Sequence, residues 1–186
     1  MKRVLGLLMA AMVFLGGCGG VGAEMDRALA LRQKLQGAAL TFDVTLTADY
    51  GDTLECFSLA CEADPEGKLT FSLTAPEALE GISGSIGADG KNLTFDGTAL
   101  AVPLLAEGRL APAAAPWVLI QSLREGCLTS CAQAGQGLLV SVDDSYEDDA
   151  LHLDIWLDGE DLPMRGEILW KGRRILTMEI QNLRIL

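Results

Sequence analysis

From residue 41 onward, apolar and polar residues of this chain alternate in short runs. In 41–50 the even-numbered residues are apolar, and in 68–75 the odd-numbered residues are apolar. Successive side chains of a strand point to opposite faces, so a period of two predicts strands with one buried and one solvated face. Similar runs predict further strands at 53–62, 82–88, 92–96, 99–105, 127–133, 138–143, 150–158, 164–171 and 174–183. Turn residues between them, as at 64–67, are typical of an antiparallel meander.

Two segments interrupt the alternation and predict helices. Glu24–Ala38 has apolar residues at helical spacing with Gly37 at its end, and 117–124 lies between Pro116 and Gly126. An antiparallel sheet of about ten strands tends to curl, and its apolar face has to be covered. The sequence therefore predicts an α+β, mostly β fold. We expect a curved antiparallel sheet that forms an unclosed half-barrel, with the N-terminal helix and the mid-chain helix across its concave face.

The amino-terminal segment is a short apolar run that ends in a cysteine. Two basic residues precede Val4–Leu15, which is shorter than the roughly 20 residues of a membrane-spanning helix. Leu15 is followed by two glycines and then Cys18, and this pattern resembles the bacterial lipobox. The resemblance implies that a signal peptide is cut off before Cys18 and that Cys18 carries acyl chains, diacylglycerol and palmitate.

This interpretation divides the chain into three parts. We predict a lipoprotein signal peptide at 1–17, the lipidated cysteine and a tether at 18–23, and a single domain at 24–186. Several acyl chains on one residue anchor a protein firmly, whereas one chain is marginal. The lipid anchor at Cys18 is therefore expected to hold the domain on the extracytoplasmic face of the cell membrane.

The composition excludes some partners. The chain has 26 acidic and 14 basic residues, a formal net charge of −12. Such acidity argues against binding of nucleic acid and against electrostatic docking on anionic lipids. Hydrophobic residues make up 49% of the chain, which is enough for a sizeable core.

Four cysteines remain once Cys18 is assigned to lipid: Cys56, Cys61, Cys127 and Cys131. Outside the cytoplasm they could pair in three ways, or they could stay free as small buried apolar residues. The sequence leaves both states open. The single histidine and the cysteine spacing do not predict a zinc site.

No motif predicts catalysis, a metal or a cofactor. The segment 81–87, GISGSIG, is neither a nucleophile elbow nor a phosphate loop, and its glycines fit turns and bulges. The acidic run 143–149, DDSYEDD, lacks the central glycine of a calcium loop and indicates a solvated hairpin. His152 and Asp154 share a strand face and could form an acid–base pair, but a surface histidine is the favoured interpretation. We therefore predict that the chain is not an enzyme.

The order of elements and the residue patterns of several segments resemble those of a known group of proteins. The segments FDVTLTADYGDTLECFSLACEADPEGKLTFSL, LTFDGTAL and LPMRGEILWKGRRILTMEIQNLRI look like uncharacterised Firmicutes lipoproteins. Lipobox, helix, meander, helix and final strands together are similar to the unclosed-barrel superfamily of bacterial lipoprotein carriers and receptors, LolA and LolB. The mycobacterial glycolipid-binding lipoproteins LprG and LppX and the clostridial germination lipoprotein GerS share this architecture. The resemblance implies an apolar ligand in the half-barrel.

The resulting hypothesis is a membrane-anchored lipoprotein that binds a lipid or an acylated protein. Predicted lining residues lie on the apolar strand faces and on the mid-chain helix: Phe42, Val44, Leu46, Leu69, Phe71, Leu73, Trp117, Ile120, Leu153 and Ile155. Trp117 is expected to plug or line the mouth of the cavity, and Trp156, on a polar face, to be covered or exposed. The same residues could instead form a filled core. The alternative function is a non-catalytic interaction scaffold in envelope, sporulation or germination processes, with a protein partner or a second copy of the chain.

Overall fold

The computed structural model describes residues 20–90, 92–95 and 103–186, and it describes the side chains from Gly22 onward. The predicted signal peptide, Cys18 and most of the strand predicted at 99–105 lie outside these residues. Domain boundaries in that region therefore stay predictions.

The described residues form two α-helices and ten strands. Helix α1 is Gly20–Leu35 and helix α2 is Ala115–Glu125. The strands are β1 Leu40–Asp49, β2 Leu54–Ala63, β3 Leu69–Ala75, β4 Ser83–Ile86, β5 Leu93–Phe95, β6 Cys127–Ala134, β7 Gly137–Asp143, β8 His152–Leu157, β9 Pro163–Trp170 and β10 Arg173–Ile185.

All ten strands form one antiparallel sheet in the order β5-β4-β3-β2-β1-β10-β9-β8-β7-β6. The first and the last strand pair at its centre, where Val44 is opposite Ile180 and Leu46 is opposite Met178. They join a meander of β1 to β5 to a meander of β6 to β10. The sheet ends at β5 and β6, which do not pair with each other in the part of the chain that the structure describes, and this confirms the predicted unclosed half-barrel.

The alternation of the sequence becomes the two faces of the sheet. In β1 the even-numbered residues are buried, and the odd-numbered ones are exposed or partly exposed. The buried faces of all the long strands except β6 join the helices in one apolar cluster. We call this side of the sheet the inner face and the other side, rich in Thr, Ser and charged residues, the outer face.

Helix α2 lies across the inner face, close to β9 and β10. Gly166 allows this approach, because a Cβ there would lie 2.5 Å from Cδ1 of Leu119 and 3.2 Å from Cε of Met178. The helix runs two residues further at its start than predicted and ends within one residue of the prediction, and Gly126 follows it. A mid-chain helix across the concave face is therefore confirmed.

The described residues differ locally from two sequence predictions. Helix α1 begins at Gly20, four residues before its predicted start. Residues 103–105 are the described part of the strand predicted at 99–105, and there Leu105 forms an isolated bridge with Leu110 rather than a regular strand. The prediction rested on a short apolar run, and periodicity alone does not assign such a run.

Candidate functional site: the apolar interior and its two ends

The structure brings the predicted lining residues together on the inner face. Nine of the ten are buried, with exposed fractions between 0% and 4%: Phe42, Val44, Leu46, Leu69, Phe71, Leu73, Ile120, Leu153 and Ile155. They belong to one contiguous cluster and pack against each other and against α2. Their contact with a ligand stays a prediction. An apolar chain could reach them only if a covering element moved.

Trp117 is the half-buried member of the set, and it plugs a gap between two turns. Its Nε1 donates a hydrogen bond of 2.9 Å to the carbonyl of Gly67, in the turn between β2 and β3. Nε2 of Gln121 donates to the same carbonyl at 3.0 Å. The indole ring lies against Gly90, in the turn between β4 and β5, so closely that a Cβ at that position would overlap it.

Buried arginine contacts hold α1 at its carboxyl end. Nε of Arg124, on α2, donates to the carbonyl of Leu35, and its Nη2 donates to the carbonyl of Ala38 at 2.7 Å. Nε of Arg32, on α1, donates to the carbonyl of Leu123 at 2.8 Å. Burial lowers the pKa of Arg124, but an arginine stays protonated in any folded protein. The positive charges therefore lie against the negative ends of two helix dipoles.

The amino-terminal half of α1 is fixed to the end of β6 and to the turn beyond β8. Nε of Arg27 donates to Oδ1 of Asp161 at 3.0 Å, and Nη1 of Arg27 donates to Oε1 of Gln133 at 3.3 Å. Ala28, Leu31 and Leu35 point into the core. Helix α1 thus closes one end of the half-barrel, which we call the α1 end.

A loop closes the opposite end, next to the turns β1–β2 and β9–β10. We call residues 103–110 the strap and this end the strap end. Within the strap, Leu105 bridges Leu110, and both side chains are buried together with Ala106. The hydroxyl of Tyr50 donates to the carbonyl of Pro103 at 2.9 Å.

Two exposed ion pairs connect the strap to its surroundings. Nζ of Lys171 lies 2.8 Å from Oε1 of Glu107, and the two side chains are 61% and 70% exposed. Arg109 pairs with Asp149, in the loop between β7 and β8. The hydrogen bond from Lys171 holds the pKa of Glu107 below its usual range. Exposed pairs of this kind stabilise a fold only slightly.

Trp170 lies at the strap end, at the end of β9. The guanidinium carbon of Arg109 and Nζ of Lys171 each lie 5.2 Å from the centroid of its ring, within cation–π range. The residue is 8% exposed, and its Nε1 is buried without a hydrogen-bond acceptor among the residues that the structure describes. A cavity of about 300 Å³ beside it is lined by Asp148, Asp149, His152, Leu169, Trp170 and Lys171.

His152 and Trp156 lie on the outer face, as their strand predicts. Nδ1 of His152 is 2.7 Å from Oδ1 of Asp143, and its Nε2 is 3.5 Å from Oδ1 of Asp154. Asp154 also accepts a hydrogen bond of 2.6 Å from the hydroxyl of Ser141. Trp156 is half-buried under a side chain rather than a helix, since the guanidinium of Arg165 lies 5.2 Å from its ring centroid.

A polar groove of about 720 Å³ runs across the outer face from β10 to β4. Its side chains include Thr41, Asp43, Glu62, Thr70, Ser72 and Arg184. A β-bulge in β10 shapes one side, where Asn182 has a φ of +54° and donates to Oδ2 of Asp43 at 2.7 Å. No local sequence pattern marks a bulge formed by asparagine, so this groove could not be predicted from the sequence.

All four described cysteines are free thiols. Cys56 is exposed on the outer face and Cys61 is buried on the inner face, where burial raises the pKa of its thiol. Cys127 and Cys131 lie on the edge strand β6, and burial raises the pKa of Cys131 as well. The four thiols are thus unpaired in the structure, but only Cys61 is a buried apolar residue.

No helix among the described residues is both long and apolar enough to cross a bilayer.

Comparison with solved structures gives similarities over most of the chain at low identity. An uncharacterized conserved protein from Thermus thermophilus is 12% identical, with 87% of each chain covered and a TM-score of 0.45. A LolA superfamily protein from Nitrosomonas europaea is 8% identical over 91% of this chain and 94% of its own, with a TM-score of 0.43. A putative outer membrane lipoprotein-sorting protein domain from Vibrio parahaemolyticus is 9% identical over 89% and 93%, with a TM-score of 0.39.

The protein from Nitrosomonas europaea carries the name of the group that the sequence resembles. Neither a protein-family model nor a curated protein matches the chain.

Proposed function

We propose that this chain is a non-catalytic lipoprotein, anchored through Cys18 on the extracytoplasmic face of the cell membrane. Its domain binds an apolar chain, from a lipid or an acylated protein, on the inner face of the half-barrel. The observation that supports this proposal is the inner face itself. It is one continuous apolar surface, and separate elements cover it: α1, α2 and the strap.

The driving force would be the transfer of acyl carbons from water to this surface. Each buried CH₂ contributes about 0.8 kcal/mol, so a chain of ordinary length supplies roughly 10 kcal/mol. That amount is enough to offset the displacement of a small covering element and the ordering of the ligand. A second layer of sheet in place of the helices and the strap would be far harder to displace.

Bound lipid is the direct test of this proposal. The full chain with Cys18→Ala, which cannot be acylated at that position, is purified without detergent and analysed by native mass spectrometry. We expect an added mass of about one acyl lipid per chain, or uptake of one from vesicles. A chain that neither carries nor takes up lipid overturns the proposed ligand class.

Anchoring is tested separately from ligand binding. Wild-type protein is expected in the membrane fraction of cells and labelled by radioactive palmitate, and Cys18→Ala is expected to lose both properties. A Cys56→Ala control, at an exposed thiol of the folded domain, should keep both. A Cys18→Ala variant that stays in the membrane contradicts the anchor.

A second candidate function is a protein-interaction scaffold, and the edge strand β6 favours it. Its eight residues include no charge and no proline, and within the described residues it pairs only with β7. Natural edge strands usually carry charged residues or proline, which prevent pairing with another chain. A Ser130→Lys variant should therefore abolish binding of a strand-donating partner or a second copy and leave lipid uptake unchanged. Unaltered association in that variant speaks against this candidate.

A further inference from the structure

We infer that the strap end is the entrance of the half-barrel and that Trp170, Arg109 and Lys171 hold the anionic head group of the ligand there. The inference rests on the proposed function and specifies the ligand as an acyl chain with a singly charged carboxylate, a fatty acid. The chain would lie on the inner face, and the carboxylate would lie beside the indole of Trp170.

The contacts at the two ends of the half-barrel differ in strength. At the α1 end, Arg124 is 4% exposed, and its buried guanidinium donates to the backbone carbonyls of Leu35 and Ala38. Loss of such buried hydrogen bonds has a large free-energy cost. At the strap end, Lys171–Glu107 and Arg109–Asp149 are exposed ion pairs, which contribute little. The strap is therefore the covering element that separates from the domain most easily.

The strap contributes few apolar contacts, and part of its backbone is strained. Leu105, Ala106 and Leu110 are its buried side chains. Ala106 and Glu107 have φ values of +50° and +57°, in the left-handed region that residues with a Cβ rarely adopt. When the strap lifts, an acyl chain takes the place of these three apolar side chains and keeps the inner face buried. The backbone of Ala106 and Glu107 can then leave the left-handed region.

Trp170 supplies the polar contact that a fatty acid needs. Its Nε1 is a buried donor without an acceptor among the described residues, an arrangement that is unfavourable in a folded protein. Trp117 shows the usual arrangement, since its Nε1 donates to the carbonyl of Gly67. A carboxylate oxygen beside Trp170 would accept this hydrogen bond.

Charge at the strap end favours one negative charge on the ligand. Arg109 and Lys171 both lie at the ring of Trp170, and a carboxylate can replace the exposed partners Asp149 and Glu107. Asp148 and Asp149 also line the adjacent cavity, so a head group with more negative charge is repelled.

The experiment compares a fatty acid with its uncharged ester. The full chain with Cys18→Ala is titrated with fluorescent cis-parinaric acid and with its methyl ester. We expect the acid to bind about tenfold more tightly than the ester, because a hydrogen bond to a charged group is worth about that factor. Trp170→Phe and the double variant Arg109→Gln/Lys171→Gln should bring the two affinities together.

Trp117→Phe is the matched control. Both Trp→Phe variants lose the same ring volume, so a general packing defect lowers the affinities of acid and ester alike. Only a contact to the head group changes their ratio. Trp117→Phe should leave the ratio at its wild-type value.

The rate of association locates the entrance. Tyr50→Phe removes the hydrogen bond to Pro103 and should speed association of the acid severalfold, whereas Arg27→Gln, at the α1 end, should leave the rate unchanged. Faster association in Arg27→Gln alone places the entrance at the α1 end and overturns the inference.

The remaining outcomes separate this inference from the proposed function. If the protein binds neither acid nor ester, the proposed function fails, and the inference fails with it. If both bind but the variants at Trp170, Arg109 and Lys171 leave the ratio unchanged, only the inference fails. Tighter binding of a parinaroyl phosphatidylglycerol, presented in vesicles, overturns the assignment to a free fatty acid.

Discussion

Arg32 and Arg124 each bind the carboxyl end of the helix that carries the other. Arg32 extends from α1 to the carbonyls of Leu123 and Gly126, both at 2.8 Å. Arg124 extends from α2 to the carbonyl of Leu35 at 3.1 Å. The two helices are therefore held together as one unit across the inner face.

Removal of Arg124 should destabilise the domain strongly. In Arg124→Gln the carbonyls of Leu35 and Ala38 lose a buried charged donor, and we expect a loss of about 3 kcal/mol in the free energy of unfolding. Urea denaturation measures this loss. The control is Arg174→Gln, a 57% exposed arginine paired with Glu167, which should change stability by less than about 0.5 kcal/mol. Equal effects of the two substitutions contradict the role of Arg124.

The two arginines should also show coupling. If they hold the same pair of helices, the double variant Arg32→Gln/Arg124→Gln loses less stability than the sum of the single variants. We expect a coupling energy of about 1 kcal/mol, since residues that share a contact network deviate from additivity by such amounts. A thermodynamic cycle of four urea titrations measures it, and strict additivity would show that the helix ends act independently.

Gly166 should not tolerate a side chain. The Cβ of Gly166→Ala would lie 2.5 Å from Leu119, so α2 has to move away from the sheet. We expect a loss of about 2 kcal/mol, in the range of overpacked cores, seen as a lower Tm. Gly159→Ala is the matched substitution at a turn with open space around the added Cβ, and its Tm should stay near that of the wild type.

Acidification should loosen the strap. The pKa of Glu107 is lowered in the folded protein by its hydrogen bond with Lys171. Its contribution to stability is therefore present above the usual glutamate pKa of about 4.3 and is lost as the pH falls through the lowered value. An NMR titration of the Glu107 carboxyl should give a midpoint below that of the same group in Lys171→Gln. Identical midpoints would contradict the ion pair in solution.

Thiol reactivity should follow burial. Cys56 is exposed, whereas Cys61 is 2% exposed and burial raises the pKa of its thiol. A maleimide at neutral pH should label Cys56 within minutes and Cys61 only after unfolding, because the thiolate is the reactive form. Peptide mapping after labelling distinguishes the two positions. Rapid labelling of Cys61 would indicate that the interior opens readily.

The sequence predicted the strands well because burial on one face imposes the period of two. The even-numbered residues of β1 illustrate this, since each of them from Leu40 to Ala48 is buried. The pairing of β1 with β10 could not be predicted in the same way. It joins residues more than a hundred positions apart, such as Leu46 and Met178, and no local pattern encodes such a partner.

The predicted lining residues meet on the inner face, and their contact with a ligand stays a prediction. The strap was not predicted: the sequence predicted a strand at 99–105, whereas Leu105 bridges Leu110 and both side chains are buried. Trp170 has an ordinary place on its strand, and only the tertiary structure shows its Nε1 without an acceptor and two cations near its ring. Such features depend on how distant segments meet.

The central position of β10 has a consequence for synthesis. A chain made from its amino terminus displays β1 with one side unpaired until the final 13-residue strand, Arg173–Ile185, has emerged from the ribosome. Until then, the two meanders are separate halves, each with an open edge and an uncovered apolar surface. The domain can therefore complete its sheet only once β10 has been made, and loss of β10 would leave two separate smaller sheets rather than one shortened sheet.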